Sequence, residues 1–279
     1  MSGKINRVKK RMRILACFPP VAFLWKKMKR IYGIGHKGFT AAKALIFYLK
    51  WLLVMRKRMY HDLFIECRAT NIKPYKPLRW KLGSCYFNAK INGEDVFIKT
   101  GGRIDTTERE RGALEYIREK SPFLEKHTPY IFKTSKYIVE KRVQGNSLKT
   151  FNEKNKELQN YCVSQLFEIY NELKKHNILH LDIRPDNFII QDDNNLILID
   201  FGYALVDNTD VYSMIGKNEF NSSVLKKLGS SFALGNGFLD DAYSFYLTMK
   251  YICPQLMLYN YDIWRSINED IGLRKIRIS

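Results

Sequence analysis

His180-Leu-Asp-Ile-Arg-Pro-Asp-Asn187, followed thirteen residues later by Asp200-Phe-Gly202, is the stretch on which the fold turns. Asn187-Phe-Ile-Ile190 and Leu196-Ile-Leu-Ile199 are short apolar, β-branched runs, and the polar Gln191-Asp-Asp-Asn-Asn195 between them predicts a hairpin. Asn187 then comes at the start of the first strand and Asp200 just past the end of the second. The carboxylate and the amide therefore sit at the ends of one hairpin, where both can face one metal ion, and Asp182 lies five residues before the first strand. Phosphoryl transfer from ATP uses such a set: one carboxylate orients the attacking hydroxyl, while an Asn and a second Asp hold the Mg²⁺ that bridges the phosphates. Asp182 suits the first role, Asn187 and Asp200 the second. A Leu-rich helix running into a polar turn, with Asp200 as a simple cap, would explain each residue singly but not their order and interval.

Upstream, Cys85-Tyr-Phe-Asn-Ala-Lys-Ile-Asn92-Gly93 alternates in polarity and closes on Asn-Gly, the dipeptide favoured in two-residue hairpin turns. Val96-Phe-Ile-Lys99 follows as the returning strand. Thr107-Glu-Arg-Glu110-Arg-Gly-Ala-Leu-Glu-Tyr-Ile117 has helical spacing, with Ala113, Leu114 and Ile117 on its buried face. Tyr137-Ile-Val-Glu140-Lys-Arg142-Val143-Gln-Gly145-Asn-Ser-Leu148 is a strand running into a glycine-containing connection. In this order the segments resemble the protein-kinase-like superfamily over roughly residues 78 to 250. The resemblance implies an α+β, bilobal fold with a small antiparallel-sheet N-lobe over about 78–141 and a reduced, mainly helical C-lobe over about 146–279. It also implies ATP and Mg²⁺ as cofactors. Lys99 would be the strand lysine that pairs with the α- and β-phosphates, and Glu110, with Glu108 as rival, the carboxylate that orients it. Gly83 would lie in the nucleotide loop, and Glu140, Arg142 and Val143 along the strand and hinge whose backbone binds adenine.

The departures from that pattern carry information too. Leu82-Gly83-Ser-Cys-Tyr-Phe has one glycine where the superfamily's loop has three, so fewer backbone amides cradle the phosphates. Leu181 stands where regulated protein kinases carry an Arg, which removes the group that would read a phosphorylated activation loop. Pro254 is the only proline after Gly202 and 79 residues follow Asp200, too few for a full peptide-binding platform. Arg184 occupies the place of a Lys two residues after the catalytic Asp; it is either a second cation beside the transferred phosphoryl or a structural ion-pair partner.

Residues 1–58 hold sixteen Lys and Arg and no Asp or Glu, leaving 31 basic against 28 acidic residues in the rest of a chain of net charge +19. A block of one sign implies an anionic partner surface. Apolar runs favour a membrane over nucleic acid: Ile14 to Trp25 lies between Lys9-Lys-Arg-Met-Arg13 and Lys26-Lys-Met-Lys-Arg30, and Ala44 to Met55 between Lys43 and Arg56-Lys-Arg58. Neither run reaches the roughly 20 apolar residues needed to cross a bilayer. Lys43, Lys50 and Lys57 recur every seventh residue and share one stripe of a helix that either lies in the interface or docks on the small lobe as core. Pro19-Pro20 and the lack of a small-residue cleavage site argue against a signal peptide.

Five scattered cysteines, Cys17, Cys67, Cys85, Cys162 and Cys253, form neither a disulfide framework nor a zinc motif. His176 and His180 lack metal-ligand company, and His180 is better placed to brace the loop it begins. The helix from about Leu158 to Lys175 is expected to turn Tyr161, Leu166, Ile169, Tyr170 and Leu173 inward. Asp240 or Asp241 is expected to support the catalytic loop or simply to charge a helix N-terminus. Two prolines, Pro74 and Pro77, place the boundary between a basic amphipathic extension (1–70) and the kinase-like domain (71–279).

The small bacterial kinases of lipopolysaccharide core, which act on heptose and Kdo, are what this combination resembles most. That implies transfer of the ATP γ-phosphate to a sugar hydroxyl of a glycolipid, by a protein peripheral to the cytoplasmic face of the inner membrane. No stable protein partner is evident, and nucleic acid is the lesser expectation. An atypical Ser/Thr kinase of the RIO or Bud32 kind is the enzymatic alternative. A membrane-tethered pseudokinase is the non-enzymatic one, opposed by the retention of Lys99, Asp182, Asn187 and Asp200 together.

Overall fold

The computed structural model describes residues 46, 48–77, 80, 85–100, 104–151, 155–207, 238–274 and 276–277. Gly83, the basic segment before residue 46 and the stretch 208–237 lie outside them. The chain is α+β and bilobal, as its motifs imply.

The N-lobe contains a five-stranded antiparallel sheet of β1 (Thr70–Pro74), β2 (Cys85–Ile91), β3 (Glu94–Thr100), β4 (Ile131–Phe132) and β5 (Ile138–Lys141), in the order β1-β2-β3-β5-β4. β2 shows strict alternation of buried and half-buried residues, so one face covers a core and the other the cleft. The β2–β3 turn is Asn92-Gly93, both with positive φ (50° and 86°), the geometry for which Asn-Gly is selected. β3 and β5 pair with Phe97 opposite Glu140 and Lys99 opposite Ile138. That register decides which side chains share the cleft face.

The region between Pro74 and Pro77 is not the linker its prolines suggest. β1 is an edge strand paired to β2, and the Tyr75 N–H extends the pairing by donating to the Tyr86 carbonyl at 2.7 Å. Pro74, at the end of that strand, is where a sheet tolerates proline. The expected division at residue 70 also falls inside one packing unit. Helix α1 (Arg56–Cys67), preceded by a π-helical turn at Trp51–Met55, buries Trp51, Met59 and Leu63 in the same core as Phe87, Ala89, Val96 and Ile98 of the sheet. Trp51 meets Phe87 at 5.0 Å and Trp80 at 6.0 Å between ring centroids. Of the two alternatives for this helix, its inward side is core of the small lobe, and the lobe begins at or before Trp51 rather than near residue 78.

Helix α2 (Ile104–Lys120) joins the lobes: Ala113, Leu114 and Ile117 are buried with C-lobe residues, as the helical spacing predicts. A short α3 (Pro122–Lys126), capped by the Ser121 hydroxyl, follows. In the C-lobe, α4 (Lys156–Lys175) packs against α5 (Asp241–Ile252) and α7 (Tyr261–Asp270), with α6 (Leu256–Tyr259) between them in sequence. Leu166, Ile169, Tyr170 and Leu173 of α4 are buried as expected, but Tyr161 is exposed. The buried stripe passes through Cys162 and Val163 instead, and Tyr161 falls on its flank. β6 (Asn146–Ser147), β7 (Phe188–Ile190) and β8 (Leu196–Leu198) form a small sheet, and the predicted hairpin is β7–β8 with Phe188 opposite Leu198. β9 (Phe238–Leu239) pairs with β10 (Ile276–Arg277).

Candidate active site

Of the residues implicated by sequence, Lys99, Glu110 and Asp200 line one recess between the sheet and the β7–β8 hairpin, and Lys99, Glu140, Arg142 and Val143 an adjoining one. The candidate catalytic loop, His180 to Asn187, is anchored by Asp241, whose two carboxylate oxygens accept the backbone N–H groups of His180 (2.6 Å) and Leu181 (3.0 Å). These bonds hold Leu181 at φ 64°, a left-handed conformation unfavourable for a branched residue, at the turn that presents Asp182. Burial pushes the Asp241 carboxyl up to about 6, opposed by those two N–H bonds. Asp240 has the other expected role: its side chain accepts from Tyr243 N–H as the N-cap of α5 and from Gly272 N–H at 2.6 Å.

His180 is fully buried and stacks edge-on against Phe201 with ring centroids 4.6 Å apart. Its Nε2 lies 3.1 Å from the Ile199 carbonyl, and its Nδ1 accepts the Asp182 N–H at 3.3 Å. Both bonds suit one neutral tautomer, protonated at Nε2. Burial pulls the imidazole down to about 4, partly offset by Asp200, so the ring is neutral at neutral pH. Ile199 uses its other backbone group too, donating its N–H to the Asn187 carbonyl at 2.9 Å. The residue before Asp200 is thus pinned to both ends of the catalytic loop. Asp200 itself has φ 69°, which turns the chain sharply after β8.

Asn187 donates from Nδ2 to the Asp182 carbonyl (2.8 Å) and to Asp182 Oδ2 (3.0 Å). With the nitrogen so engaged, the amide's remaining ligand atom is its oxygen, the kind of atom that Mg²⁺ takes. Arg184 Nε lies 3.6 Å from Asp182 Oδ2, an ion-pair distance, with no directed hydrogen bond on that nitrogen. Of the two expected roles the geometry displays the ion-pair partner of Asp182.

On the sheet side, Lys99 Nζ lies 2.6 Å from Glu110 Oε1. Glu110 is buried and Glu108 exposed, so the helix selects Glu110. A second carboxylate was not foreseen in this role: Glu140 Oε1 is 2.7 Å from the same Nζ. Burial lowers the basicity of Lys99, but Glu110, Glu140 and Asp200 together outweigh it and hold the ammonium well above its usual range. Burial, reinforced by Glu140 and Asp200 and opposed by Lys99, pushes the Glu110 carboxyl up to about 8.

Lys99 borders two adjoining recesses. One is lined by Tyr86, Lys99, Glu110, Asp200 and Gly202; the other by Asn88, Phe97, Glu140, Arg142, Val143, Ile189 and Ile199. The second has the apolar walls and hinge residues that a purine base requires. Asn88 Oδ1, buried there, has no hydrogen-bond partner, and such an acceptor fits a ligand bringing an N–H group. The carboxylate excess at Lys99 likewise fits a divalent cation accompanying phosphates. Gly145, just past the hinge, has φ 138°, and a Cβ there would lie 2.2 Å from the Ile190 carbonyl oxygen, so only glycine lets β6 approach β7.

Comparison with known proteins places this arrangement. Residues 112–214, which include Glu140, Asp182, Asn187 and Asp200, match the ABC1 atypical kinase-like domain. The chain is 31% identical over 111 residues, 37% of its length, to serine/threonine-protein kinase PKH3 of Saccharomyces cerevisiae, of which it covers 11%. It is 25% identical over 153 residues, 53% of its length, to the probable serine/threonine-protein kinase pkgA of Dictyostelium discoideum, again covering 11%. Serine/threonine-protein kinase D of a Synechocystis strain matches at 31% over 97 residues, 34% of this chain and 19% of that protein. The chain therefore spans about a tenth to a fifth of the length of these relatives.

Proposed function

Since the chain belongs to the protein-kinase-like superfamily, we propose that it transfers the γ-phosphate of ATP, with Mg²⁺, to a hydroxyl acceptor. The observation that carries this reading is the pinning of Ile199 to both His180 and Asn187, which sets Asp200 beside the Asp182–Asn187 pair. Asn187 and Asp200 would hold the metal, Lys99 a phosphate oxygen, and the recess of Phe97, Arg142, Val143 and Ile199 the base. Mg²⁺, when bound, neutralises the charge that develops on the transferred phosphoryl. Asp182 orients the acceptor hydroxyl and takes its proton, and Asn187 keeps that carboxylate aimed.

For the acceptor, a membrane glycolipid sugar such as that of lipopolysaccharide core fits the charge pattern. The sixteen basic residues of segment 1–58 face no acidic neighbour in sequence, and the outward side of the 46–58 region presents Ile46, Leu49, Leu53 and Val54 beside Lys50, Arg56, Lys57 and Arg58. Among the described residues no helix is long and apolar enough to cross a membrane, which is compatible with peripheral attachment at the cytoplasmic face. A protein Ser or Thr acceptor is the second reading, and the serine/threonine-kinase names of the relatives favour it. Incubating the full chain with γ-labelled ATP, Mg²⁺, acidic vesicles carrying lipopolysaccharide, and a Ser/Thr peptide mixture separates them. Label in the glycolipid fraction supports the first reading, label in peptide the second, and no Mg²⁺-dependent label in either, nor as released phosphate, refutes the phosphotransferase reading.

A further inference from the structure

We propose that Glu140 is a second positioning residue for Lys99, which ties the phosphate-binding ammonium to the sheet and to the adenine-binding hinge as well as to helix α2. The inference rests on the phosphotransferase reading and deepens it. An ammonium has three N–H groups, and one buried carboxylate normally suffices to orient it. Here Glu110 makes a directed bond at 2.6 Å, while Glu140 lies at 2.7 Å as an ion pair without hydrogen-bond geometry on Oε1. Glu140 is 6% exposed, and no driving force places a charged side chain there except the cation it meets.

The two anchors come from elements of different kinds. Glu110 rides on α2, which can shift relative to the sheet only by moving its packed face. Glu140 belongs to β5, whose hydrogen-bonded register with β3 fixes it opposite Phe97, two residues from Lys99 on the same strand face. Glu140 also lies two residues before Arg142 and three before Val143, so its backbone continues into the segment lining the purine recess. A base bound there and a phosphate bound at Lys99 are thus connected through one short strand. Lys99 keeps one anchor in the sheet however α2 is placed, and the ammonium, with one directed bond to Glu110, still has N–H to offer a phosphate oxygen.

The test compares Mg-ATP with adenosine, which fills the base recess but brings no phosphate. Affinities are measured by titration calorimetry on the full chain for wild type, Glu140→Gln, Lys99→Met and the double variant, with Glu140→Met as a second substitution should the amide disturb folding. Losing a contact to a charged group costs about tenfold in affinity. Glu140→Gln is expected to bind Mg-ATP about tenfold more weakly and adenosine as well as wild type; in the Lys99→Met background it is expected to change Mg-ATP binding less than twofold. Equal losses for both ligands would make Glu140 a purine contact. Unchanged or tighter Mg-ATP binding would make it filler or a mere source of repulsion. A full tenfold loss on top of Lys99→Met would make it structural. Each of these overturns the proposal while leaving the kinase reading intact, whereas Lys99→Met binding Mg-ATP as tightly as wild type would overturn that reading as well.

Discussion

Asp182 and Asn187 were legible from sequence because their relation is local: five residues apart, they close a loop whose hydrogen bonds run within the motif. Glu110 was legible because helical spacing places it one turn before Leu114, a buried residue. The Glu140 contact with Lys99 was not, since it depends on which residue of β3 stands opposite which of β5, a pairing across about forty residues of chain that alternation alone does not fix. Lys99→Ala should weaken Mg-ATP binding more than Glu110→Ala, because on the proposed reading Lys99 would meet the phosphates while Glu110 acts through it and shares that task; equal losses in a calorimetric titration would contradict the shared anchoring. His180 gives a pH prediction. Its folded-state value of about 4 lies below the ordinary 6.5, so the unfolded chain takes up this proton first. The stability it contributes is complete above pH 6.5 and is lost as pH falls toward 4, on the order of 3 kcal/mol if fully expressed. Asp241, raised to about 6, changes stability in the opposite sense across part of that window. The difference between wild type and His180→Gln isolates the histidine: its urea-unfolding gap should shrink from pH 7 to pH 5, and a constant gap would refute the neutral buried ring.

Helix α1 and the turn before it show how far periodicity carries an element. The apolar run from Ala44 to Met55 announced a helix, but its residues are apolar on nearly every side, so sequence left open whether membrane or protein covers it. Packing answers for one side only: Trp51, Met59 and Leu63 are buried and Leu53 and Val54 exposed. Leu63→Ala should therefore cost about 2–4 kcal/mol in denaturant unfolding, and Leu53→Ser no more than about 0.5 kcal/mol. Comparable losses at both positions would contradict the docking of this helix on the sheet. β1 was hidden for a different reason. Pro74 and Pro77 signal a break in a chain read alone, and only the partner strand, Cys85–Ile91, shows that the preceding residues are a sheet edge. Asp240 and Asp241 could not be told apart by sequence either; adjacent residues at a helix start point in different directions, one back to cap its own helix and one across to the catalytic loop.

At the scale of the molecule, charge and proposed chemistry are divided: nearly all the net positive charge lies in the first 58 residues, while the groups proposed to act on ATP and acceptor lie between Lys99 and Asp200. Basic residues near an anionic membrane contribute about 1 kcal/mol each before screening, so engagement of even a third of the sixteen would hold the protein at a surface. Deleting residues 1–69 would strip Trp51, Met59 and Leu63 from the core, so substitution is the cleaner probe. Replacing Lys50 and Lys57 by Gln and Leu53 and Val54 by Ser should reduce cosedimentation with acidic vesicles severalfold without lowering Tm; undiminished cosedimentation, or preference of the full chain for RNA over acidic vesicles at equal salt, would contradict the membrane reading. The central claim, that Asp182 acts on the acceptor and Asp200 on the metal, is tested by measuring Mg-ATP affinity and γ-phosphate turnover side by side for wild type, Asp182→Asn and Asp200→Asn. Asp182→Asn should bind Mg-ATP like wild type and turn over at least about 100-fold more slowly, and Asp200→Asn should lose Mg²⁺-dependent ATP binding as well. Near wild-type turnover by Asp182→Asn, or undiminished Mg²⁺-dependent binding by Asp200→Asn, would contradict it.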